Sequence, residues 1–180
     1  MGQPKALLIY HGRTFLEQIL GTIRESSIES TVVVLGHDRE SIESSVSLGV
    51  SVFNEDYEKG MTTSFQAGIR ALAPEVDGAV IFLVDHPVVD PQTVDLLISK
   101  FLPGRIVLPL HEGRRGHPVL FSREVLEEIL ELSPTSGANV VVRRSQERIT
   151  EVEVSQPGIL VDIDTPENFE RLKASRPNPK

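Results

Sequence analysis

The chain has 180 residues, the size of one ordinary domain, and 39% of them are hydrophobic, which is enough to form a core. Its formal net charge of −8 at pH 7 argues against nucleic acid or an anionic membrane surface as a partner. The lack of cysteine excludes disulfides and thiolate zinc sites, and no apolar run approaches the ~20 residues of a membrane span. We therefore expect a cytoplasmic protein.

Short apolar runs rich in β-branched residues alternate with helical patterns along the chain. We predict strands at 31–36, 50–53, 78–84 and 105–109. We predict helices that begin at Thr14, Asp38, Thr62, Asp90 and Thr165. Because the strands are apolar without clean alternation, both faces of each strand should be covered. The pattern is typical of a three-layer α/β domain with a mostly parallel sheet.

Two of these helices have specific start signals. Thr14 is followed three residues later by Glu17, which is the pattern of a capping box. Asp90 precedes Pro91, which fits a cap followed by proline at the first helical position.

The segment 105–162 breaks the alternation. It contains two predicted strands around a basic glycine loop at 111–118, and two more are predicted at 148–154 and 158–164. We interpret this half as a mixed-sheet extension of the α/β core.

Asp85 follows the apolar run 78–84 and directly precedes His86 and Pro87. Ligands of α/β sheets bind at the carboxyl ends of strands, so this position fits a metal ligand. A turn-forming aspartate is the alternative. Because 78–84 is the most apolar run, we place Asp85 near the sheet centre, where a carboxylate needs a cation, a metal or backbone donors.

Asp162 and Asp164 lie one residue apart, and on a strand their side chains would point the same way. Such pairs bind hard divalent ions such as Mg²⁺. The alternative is that Asp164 or Thr165 caps the following helix, and both roles can hold together.

The loop 111–118 is a candidate for binding an anion. Arg114 and Arg115 lie between two glycines, which suits a phosphate or another anionic substrate. A solvated hairpin tip is the alternative, and the spacing of its histidines fits no zinc motif.

The segment 54–65 places Gly60 just before a predicted helix start. Backbone N–H groups there, with the hydroxyls of Thr62, Thr63 and Ser64, could cradle an anion or a base edge. Ordinary N-capping by Thr62 or Thr63 is the alternative.

Common nucleotide and hydrolase motifs are missing from the sequence. It contains no G-x-x-x-x-G-K-[ST], no G-x-G-x-x-G and no G-x-S-x-G. The usual ATPase, dehydrogenase and hydrolase interpretations therefore lose their main support.

Several segments, in order and at matching spacing, resemble the MobA-like nucleotidyltransferases, most closely the molybdenum cofactor cytidylyltransferase branch. The resemblance runs from residue 1 to residue 172, nearly the whole chain. Its landmarks, each weak alone, are MGQPKALL, VVVLGHD, EKGMTTSFQAGI, LVDHPVV, GRRGHPVLF, SGANVVVRR and LVDIDTPENF.

The resemblance implies a Rossmann-like nucleotidyltransferase fold and Mg²⁺-dependent transfer of a nucleotidyl group from an NTP, with CTP favoured, to a molybdopterin-type phosphate acceptor. Pyrophosphate would be released. It implies that Lys5 contacts the triphosphate and that Asp85 holds the metal, with Asp162 and Asp164 nearby. The implied nucleotide-binding residues are Lys5, Asn54, Gly60, Met61, Thr62 and Ser64. The implied acceptor-binding residues are Arg115, Gly116, His117 and Pro118.

The sequence departs from the family at its start. In the family a first strand and a glycine-rich loop precede the methionine that matches Met1, so we expect one nucleotidyltransferase-like domain at 1–174 without them. A disordered tail is expected at 175–180. Two other functions stay open: a non-catalytic protein that binds a nucleotide or the molybdenum cofactor, and a sugar-nucleotide pyrophosphorylase. A molybdoenzyme or chaperone partner is compatible with the first role.

Overall fold

The structure, a computed structural model, describes residues 3–137 and 139–174. The strands are β1 (Ile9–Tyr10), β2 (Arg13–Thr14), β3 (Val32–Leu35), β4 (Val50–Phe53), β5 (Gly78–Ile81), β6 (Ile106–His111), β7 (Arg114–Arg115), β8 (Val119–Ser122) and β9 (Ile149–Glu153). The α-helices are α1 (Phe15–Glu25), α2 (Arg39–Ser45), α3 (Met61–Arg70), α4 (Pro91–Ile98), α5 (Arg123–Leu130), α6 (Asn139–Arg144) and α7 (Pro166–Ala174). Short 3-10 helices are Lys5–Leu7, Tyr57–Lys59, Gln146–Arg148 and Pro157–Leu160. Among the described residues, no helix has the length and apolar character needed to cross a bilayer. The predicted tail at 175–180 lies outside the described residues.

The larger sheet is mixed and has five strands. Its order is β5–β8–β6–β7, and β9 pairs along the other edge of β6. Strands β5 and β6 are both antiparallel to β8, and β9 is parallel to β6, so β5, β6 and β9 run in one direction. Strands β3 and β4 form a separate parallel pair. The predicted α/β class with a mixed sheet is confirmed.

Both faces of the larger sheet are covered by helices. One face packs against α3, α5 and α6 through Ile69, Ile106, Leu108, Val119, Phe121, Val125, Leu126, Ile129 and Val141. The other face packs against α4 and the 3-10 helix near the C-terminus through Leu97, Val107, Leu120, Val152, Val154 and Ile159. Because neighbouring residues of one strand enter opposite cores, the sheet is the middle of three layers.

Helix α1 packs between the β3–β4 pair and the segment that follows β5. The predicted capping box is confirmed: the Glu17 N–H donates to the Thr14 hydroxyl at 3.1 Å, and the Thr14 N–H donates to the Glu17 carboxylate at 2.7 Å. Behind this cap, Leu16 packs in one cluster with Leu35 of β3 and with Val84. The helix therefore holds the chain that carries Asp85 beside the end of β3.

The prediction that Asp85 lies near the sheet centre was wrong. Strand β5 ends at Ile81, and among the described strands it pairs with β8 alone, so it forms an edge of the larger sheet. All four residues of β5 are half-buried rather than fully buried. An apolar run indicates burial, but it contains no information on how many neighbouring strands a strand has.

The predicted strand at 158–164 was also wrong, whereas the strand predicted at 148–154 is confirmed as β9. Pro157 begins a 3-10 helix and cannot donate a backbone hydrogen bond to a sheet. A Cβ on Gly158 would overlap the Val88 carbonyl oxygen, so the chain is packed against a loop there and not against a strand.

Candidate functional site

Backbone hydrogen bonds join the turn after β5 to the segment before α7. The His86 N–H donates to the Leu83 carbonyl at 3.0 Å and closes the turn that contains Asp85. The Ile163 N–H donates to the Asp85 carbonyl at 3.0 Å. Ile163 is buried while Asp162 and Asp164 on either side are exposed. This bond therefore holds two more carboxylates beside Asp85.

Lys5 reaches the same place from the 3-10 helix Lys5–Leu7. Its Nζ lies 2.6 Å from Asp164 Oδ1 and 3.7 Å from Asp85 Oδ2. Burial alone would lower the pKa of Lys5, but the hydrogen bond to Asp164 and the surrounding carboxylate charges raise it overall. The hydrogen bond and charge of Lys5 lower the pKa of Asp164. Lys5 and Asp164 therefore form an ion pair at neutral pH.

Asp162 occupies a different position from Asp164. One oxygen of Asp162, one oxygen of Asp85 and one ring nitrogen of His86 all lie within 4.8 Å of one another. Desolvation, followed by the charges of Asp164 and Asp85, raises the pKa of Asp162. We call Lys5, Asp85, His86, Asp162 and Asp164 the Asp85 cluster.

Two histidine rings border the Asp85 cluster. The rings of His86 and His117 have centroids 4.6 Å apart and are tilted by 41°. Burial and the proximity of His86 lower the pKa of His117 to about 4, so His117 is neutral at pH 7. Asp85 Oδ1 and both Nδ1 atoms are buried without a hydrogen-bond partner among the described residues. Such atoms in a folded protein call for an explanation, and a bound ligand is one.

The predicted acceptor loop meets the Asp85 cluster through His117. The Gly116 N–H donates to the Pro109 carbonyl and the His117 N–H to the Ile159 carbonyl, both at 3.0 Å. A Cβ on Gly116 would lie 2.4 Å from the Ile159 carbonyl oxygen, so glycine is required at this position. Pro118, the last residue of the predicted loop, is buried.

Arg115 lies on β7 and is engaged by other residues. Its Nε donates to Glu151 at 2.7 Å, and its Nη2 donates to the Gln146 side-chain oxygen at 3.1 Å. This exposed ion pair links β7 to β9 and the turn before it. The predicted contact of Arg115 with an acceptor stays a prediction.

The buried polar side chains of the predicted nucleotide-binding segment form hydrogen bonds within the segment and to the backbone near it. Asn54 Nδ2 donates to the hydroxyls of Thr63 at 2.8 Å and of Ser64 at 3.0 Å. The buried Thr62 hydroxyl donates to the Ser136 carbonyl. These contacts fix the turn that leads into α3.

Gly60, rather than Thr62 or Thr63, is the N-cap residue of α3, so the N-capping alternative was wrong. Its φ of 122° lies in the region that favours glycine. Met61, the first helical residue, has 57% of its surface exposed and is the accessible side chain at this end of the helix.

A cleft of about 400 Å³ beyond the ends of β3 and β4 was not identified from the sequence. It is lined by Gly36, His37, Asp38, Arg39, Glu40, Ser41, Phe53 and Tyr57. The Arg39 guanidinium lies 5.3 Å from the centroid of the Phe53 ring, and the rings of His37 and Tyr57 are 5.8 Å apart. The rule that ligands bind at the carboxyl ends of strands, applied to β3 and β4, would have indicated this cleft.

The Asp85 cluster carries more negative than positive charge. With Asp85, Asp162 and Asp164 ionised and Lys5 protonated, three negative charges face one positive charge. Carboxylate oxygens are the ligands that hard divalent cations take, and Asp85 Oδ1 is buried without a hydrogen-bond partner in the described part of the chain. The residues therefore fit a divalent metal ion, and the Lys5 ammonium fits a phosphate.

Comparisons with known proteins show which family the chain resembles. Residues 1–149 match the MobA-like NTP transferase domain. The chain is 30% identical over 179 residues to nicotine blue oxidoreductase of Paenarthrobacter nicotinovorans, covering 94% of this chain and 87% of that protein. It is 28% identical over 184 residues to molybdenum cofactor cytidylyltransferase of Escherichia coli, covering 94% and 86%.

Solved structures agree on the fold. Rv0371c of Mycobacterium tuberculosis superposes with a TM-score of 0.81 at 26% identity, covering 98% of this chain and 92% of its own. A crystal structure of the same protein in complex with manganese superposes with a TM-score of 0.78 at 26% identity, covering 97% and 94%. The predicted Rossmann-like nucleotidyltransferase fold is confirmed.

Proposed function

This chain belongs to the MobA-like NTP transferase family, and we propose that it transfers a nucleotidyl group, with CTP preferred, to the phosphate of a molybdopterin-type acceptor with release of pyrophosphate. The chain is a nucleotidyltransferase that uses a nucleoside triphosphate. The preference for CTP and the acceptor rest on the likeness to the cytidylyltransferase of E. coli.

The Asp85 cluster is the observation that carries the proposal. Transfer of a phosphoryl-type group needs positioning and charge neutralisation more than covalent catalysis. In the cluster the Lys5 ammonium group lies beside three carboxylates, contributed by the turn after β5 and the segment before α7. Lys5 binds triphosphate oxygens and, in doing so, exchanges its hydrogen bond with Asp164 for one with the nucleotide.

Asp85 and Asp162 hold a divalent cation in this proposal, and Asp164 positions Lys5. The cation neutralises charge on the phosphate oxygens when it is bound. The resemblance to the family implies Mg²⁺, and the crystal structure of Rv0371c in complex with manganese supports a divalent ion. Assigning different roles to Asp162 and Asp164 follows from their different neighbours, since Lys5 lies 2.6 Å from Asp164.

The nucleophile is an oxygen of the acceptor's own phosphate. It forms a bond to the α-phosphorus while the bond from that phosphorus to the bridging oxygen breaks, and pyrophosphate leaves. No serine or cysteine nucleophile is needed, which agrees with a sequence that has no cysteine. The acceptor phosphate is expected beside His117, whose ring borders the Asp85 cluster.

The cleft beyond β3 and β4 is the proposed binding site of the nucleobase. Its aromatic rings offer a stacking surface, and His37 and Asp38 offer hydrogen-bonding groups. The buried contacts of Asn54 support the turn between this cleft and α3.

The test is pyrophosphate release with CTP, GTP or ATP, a molybdopterin acceptor, and Mg²⁺ or Mn²⁺. We expect release that depends on the acceptor and is fastest with CTP. Lys5→Met should lower kcat/KM by about 10–100-fold, because a hydrogen bond to a charged group is worth about 1.5–3 kcal/mol. Lys100→Met, at an exposed lysine, is the matched control and should leave kcat/KM unchanged.

Other outcomes would favour other functions. A nucleotide that raises Tm without any pyrophosphate release would favour a binding protein. Turnover with a sugar 1-phosphate in place of the pterin would favour a pyrophosphorylase. Reduction or oxidation of a substrate without release of pyrophosphate would favour a redox activity like that in the name of nicotine blue oxidoreductase. The cytoplasmic location and a molybdoenzyme or chaperone partner stay predictions.

A further inference from the structure

His86 adds a nitrogen donor to a cluster whose other candidate metal ligands are carboxylates. Its Nε2 lies 4.0 Å from Asp85 Oδ1. That separation is too long for a hydrogen bond, which ends near about 3.2 Å. Two ligands of one ion, each about 2.1 Å from it, lie between about 3.0 and 4.2 Å apart. The distance therefore suits two ligands of a shared ion better than a direct contact.

Asp162 completes a set of three donors. Its oxygen lies within 4.8 Å of the other two donor atoms, and its side chain is exposed, so a small rotation brings it to a common ion. Asp164 is already bonded to Lys5 through Oδ1 at 2.6 Å, so the donor set that leaves this ion pair in place is Asp85, His86 and Asp162. Asp85 bridges the two sides, with Oδ2 toward Lys5 and Oδ1 toward His86.

The His86 ring is held where a ligand is needed. Only 12% of its side chain is exposed, its backbone is fixed by the hydrogen bond to Leu83, and its ring lies against His117. A side chain that is already ordered loses little conformational freedom when it binds. The facing Asp85 Oδ1 is buried and lacks a hydrogen-bond partner within residues 3–137 and 139–174.

We propose that His86 is a ligand of the divalent ion together with Asp85 and Asp162, and that its nitrogen makes the site prefer a first-row transition ion such as Mn²⁺ to Mg²⁺. Imidazole suits transition ions, whereas Mg²⁺ takes oxygen ligands and keeps several waters. The inference rests on the metal-binding part of the proposed function but not on nucleotidyl transfer.

The test uses Mn²⁺ alone as the probe, without nucleotide. Binding is measured from the loss of the free-ion signal in electron paramagnetic resonance, with Mg²⁺ as the competitor. Electron spin echo modulation of bound Mn²⁺ detects a directly coordinated ¹⁴N. For the wild-type chain we expect ¹⁴N modulation and tighter binding of Mn²⁺ than of Mg²⁺. His86→Gln should lose the modulation and bind Mn²⁺ about tenfold or more weakly, since even outer partners of metal ligands are worth about 10–100-fold.

His11→Gln is the matched control, because His11 is an exposed histidine in the turn between β1 and β2. It should keep both the modulation and the affinity. Bound Mn²⁺ without ¹⁴N modulation in the wild-type chain would overturn the inference and leave the proposed function standing. No Mn²⁺ binding would overturn both the inference and the metal assignment.

Two further results separate the inference from the proposed function. Nitrogen-coordinated Mn²⁺ in a chain that releases no pyrophosphate would support the inference and contradict the proposed function. If circular dichroism shows that His86→Gln does not fold, the wild-type modulation and the His86→Asn variant decide the question. An unchanged preference for Mn²⁺ in a folded His86 variant contradicts it.

Discussion

The packed face of the larger sheet and the Asp85 cluster differ in how their buried polar groups are paired, although the Ser122 hydroxyl at the end of β8 also has no hydrogen-bond partner among the described residues. Beneath the sheet, Gln66 Nε2 donates to three backbone carbonyls at and after the end of α5, at 2.9–3.1 Å. At the cluster, Asp85 Oδ1 and the Nδ1 atoms of His86 and His117 have no partner in the described ranges. An unsatisfied buried group costs about 1–3 kcal/mol. The contacts of the first region contribute stability, and the proposed function explains the unpaired groups of the second as groups that bind a ligand.

The largest expected effect tests whether the Asp85 cluster serves activity rather than stability. Asp85→Asn keeps the shape of the side chain but removes the charge that faces His86 and Lys5. We expect kcat/KM for pyrophosphate release to fall by at least about 10³-fold, because neutralising charge in the transition state is worth several kcal/mol. The free energy of unfolding should change by less than about 1 kcal/mol, as partly exposed ion pairs contribute little.

Measuring the free energy of unfolding of Asp85→Asn tests the contrast between the two regions. Asp56→Asn, which removes the partner of the exposed Lys59 at 2.8 Å, is the control for loss of a surface carboxylate. A chain that keeps its turnover after Asp85→Asn, or loses several kcal/mol of stability, would place Asp85 in the structural region instead.

A substitution in the core tests whether the packed region serves stability rather than activity. Leu126 on α5 has no exposed surface, so Leu126→Ala should lower the free energy of unfolding by about 2–5 kcal/mol. The folded variant should keep the kcat of the wild-type chain. Leu102→Ala, at a leucine that is 54% exposed, should change stability by no more than about 0.5 kcal/mol. Urea unfolding and pyrophosphate release measure the two effects.

Equal losses from Leu126→Ala and Leu102→Ala would contradict the packing described for this face. A fall in kcat of the folded Leu126→Ala variant would show that the sheet and the Asp85 cluster are coupled.

Local patterns were sufficient to predict the starts of five of the seven described α-helices, whereas α5 and α6 were not predicted. Thr14 with Glu17 depends on residues three apart, and such short spacings determine helix caps directly. Lys5 and Asp85 were assigned to one site by family resemblance, and the structure brings them within 3.7 Å. The pairing of Lys5 with Asp164 rather than with Asp162 could not be predicted, because it depends on which carboxylate a distant lysine reaches.

Features that depend on long-range pairing were missed. The edge position of β5 is decided by its pairing with β8, some forty residues away along the chain. The helical turn at 157–160 is decided by close packing of Gly158 against Val88. Neither contact leaves a periodic signal in the sequence, and the same is true of the ring contact between His86 and His117.

A smaller effect is expected from a polar contact of the packed region. Gln66→Leu keeps most of the side-chain volume but removes the amide whose two N–H groups are shared among three carbonyls. The free energy of unfolding should fall by about 1–3 kcal/mol, because the Leu130 and Leu132 carbonyls lose the Gln66 donor, whereas the Ile129 carbonyl keeps the Leu132 N–H. Gln146→Leu is the control, since Gln146 is exposed, donates to one carbonyl and accepts only from the exposed Arg115 among the described contacts, and it should change stability by about 0.5 kcal/mol or less. A stable Gln66→Leu variant would remove the contrast between the two regions.

The smallest expected effect comes from the cap of α1, which connects the two regions. Thr14→Ala should lower the free energy of unfolding by about 1 kcal/mol, and Thr14→Ser should retain the cap. The backbone and hydroxyl of Thr14 lower the pKa of Glu17 below its ordinary 4.5. Stability from this contact is therefore complete above pH 4.5 and is lost as the pH falls through the lower folded-state value. The difference between wild type and Thr14→Ala in urea unfolding should shrink at acid pH, because the Thr14 hydroxyl also donates to the Glu17 carboxylate at 2.9 Å. The Thr14 N–H bond to Glu17 is kept in both chains, so a constant difference would show that the hydroxyl contact with the Glu17 charge contributes nothing.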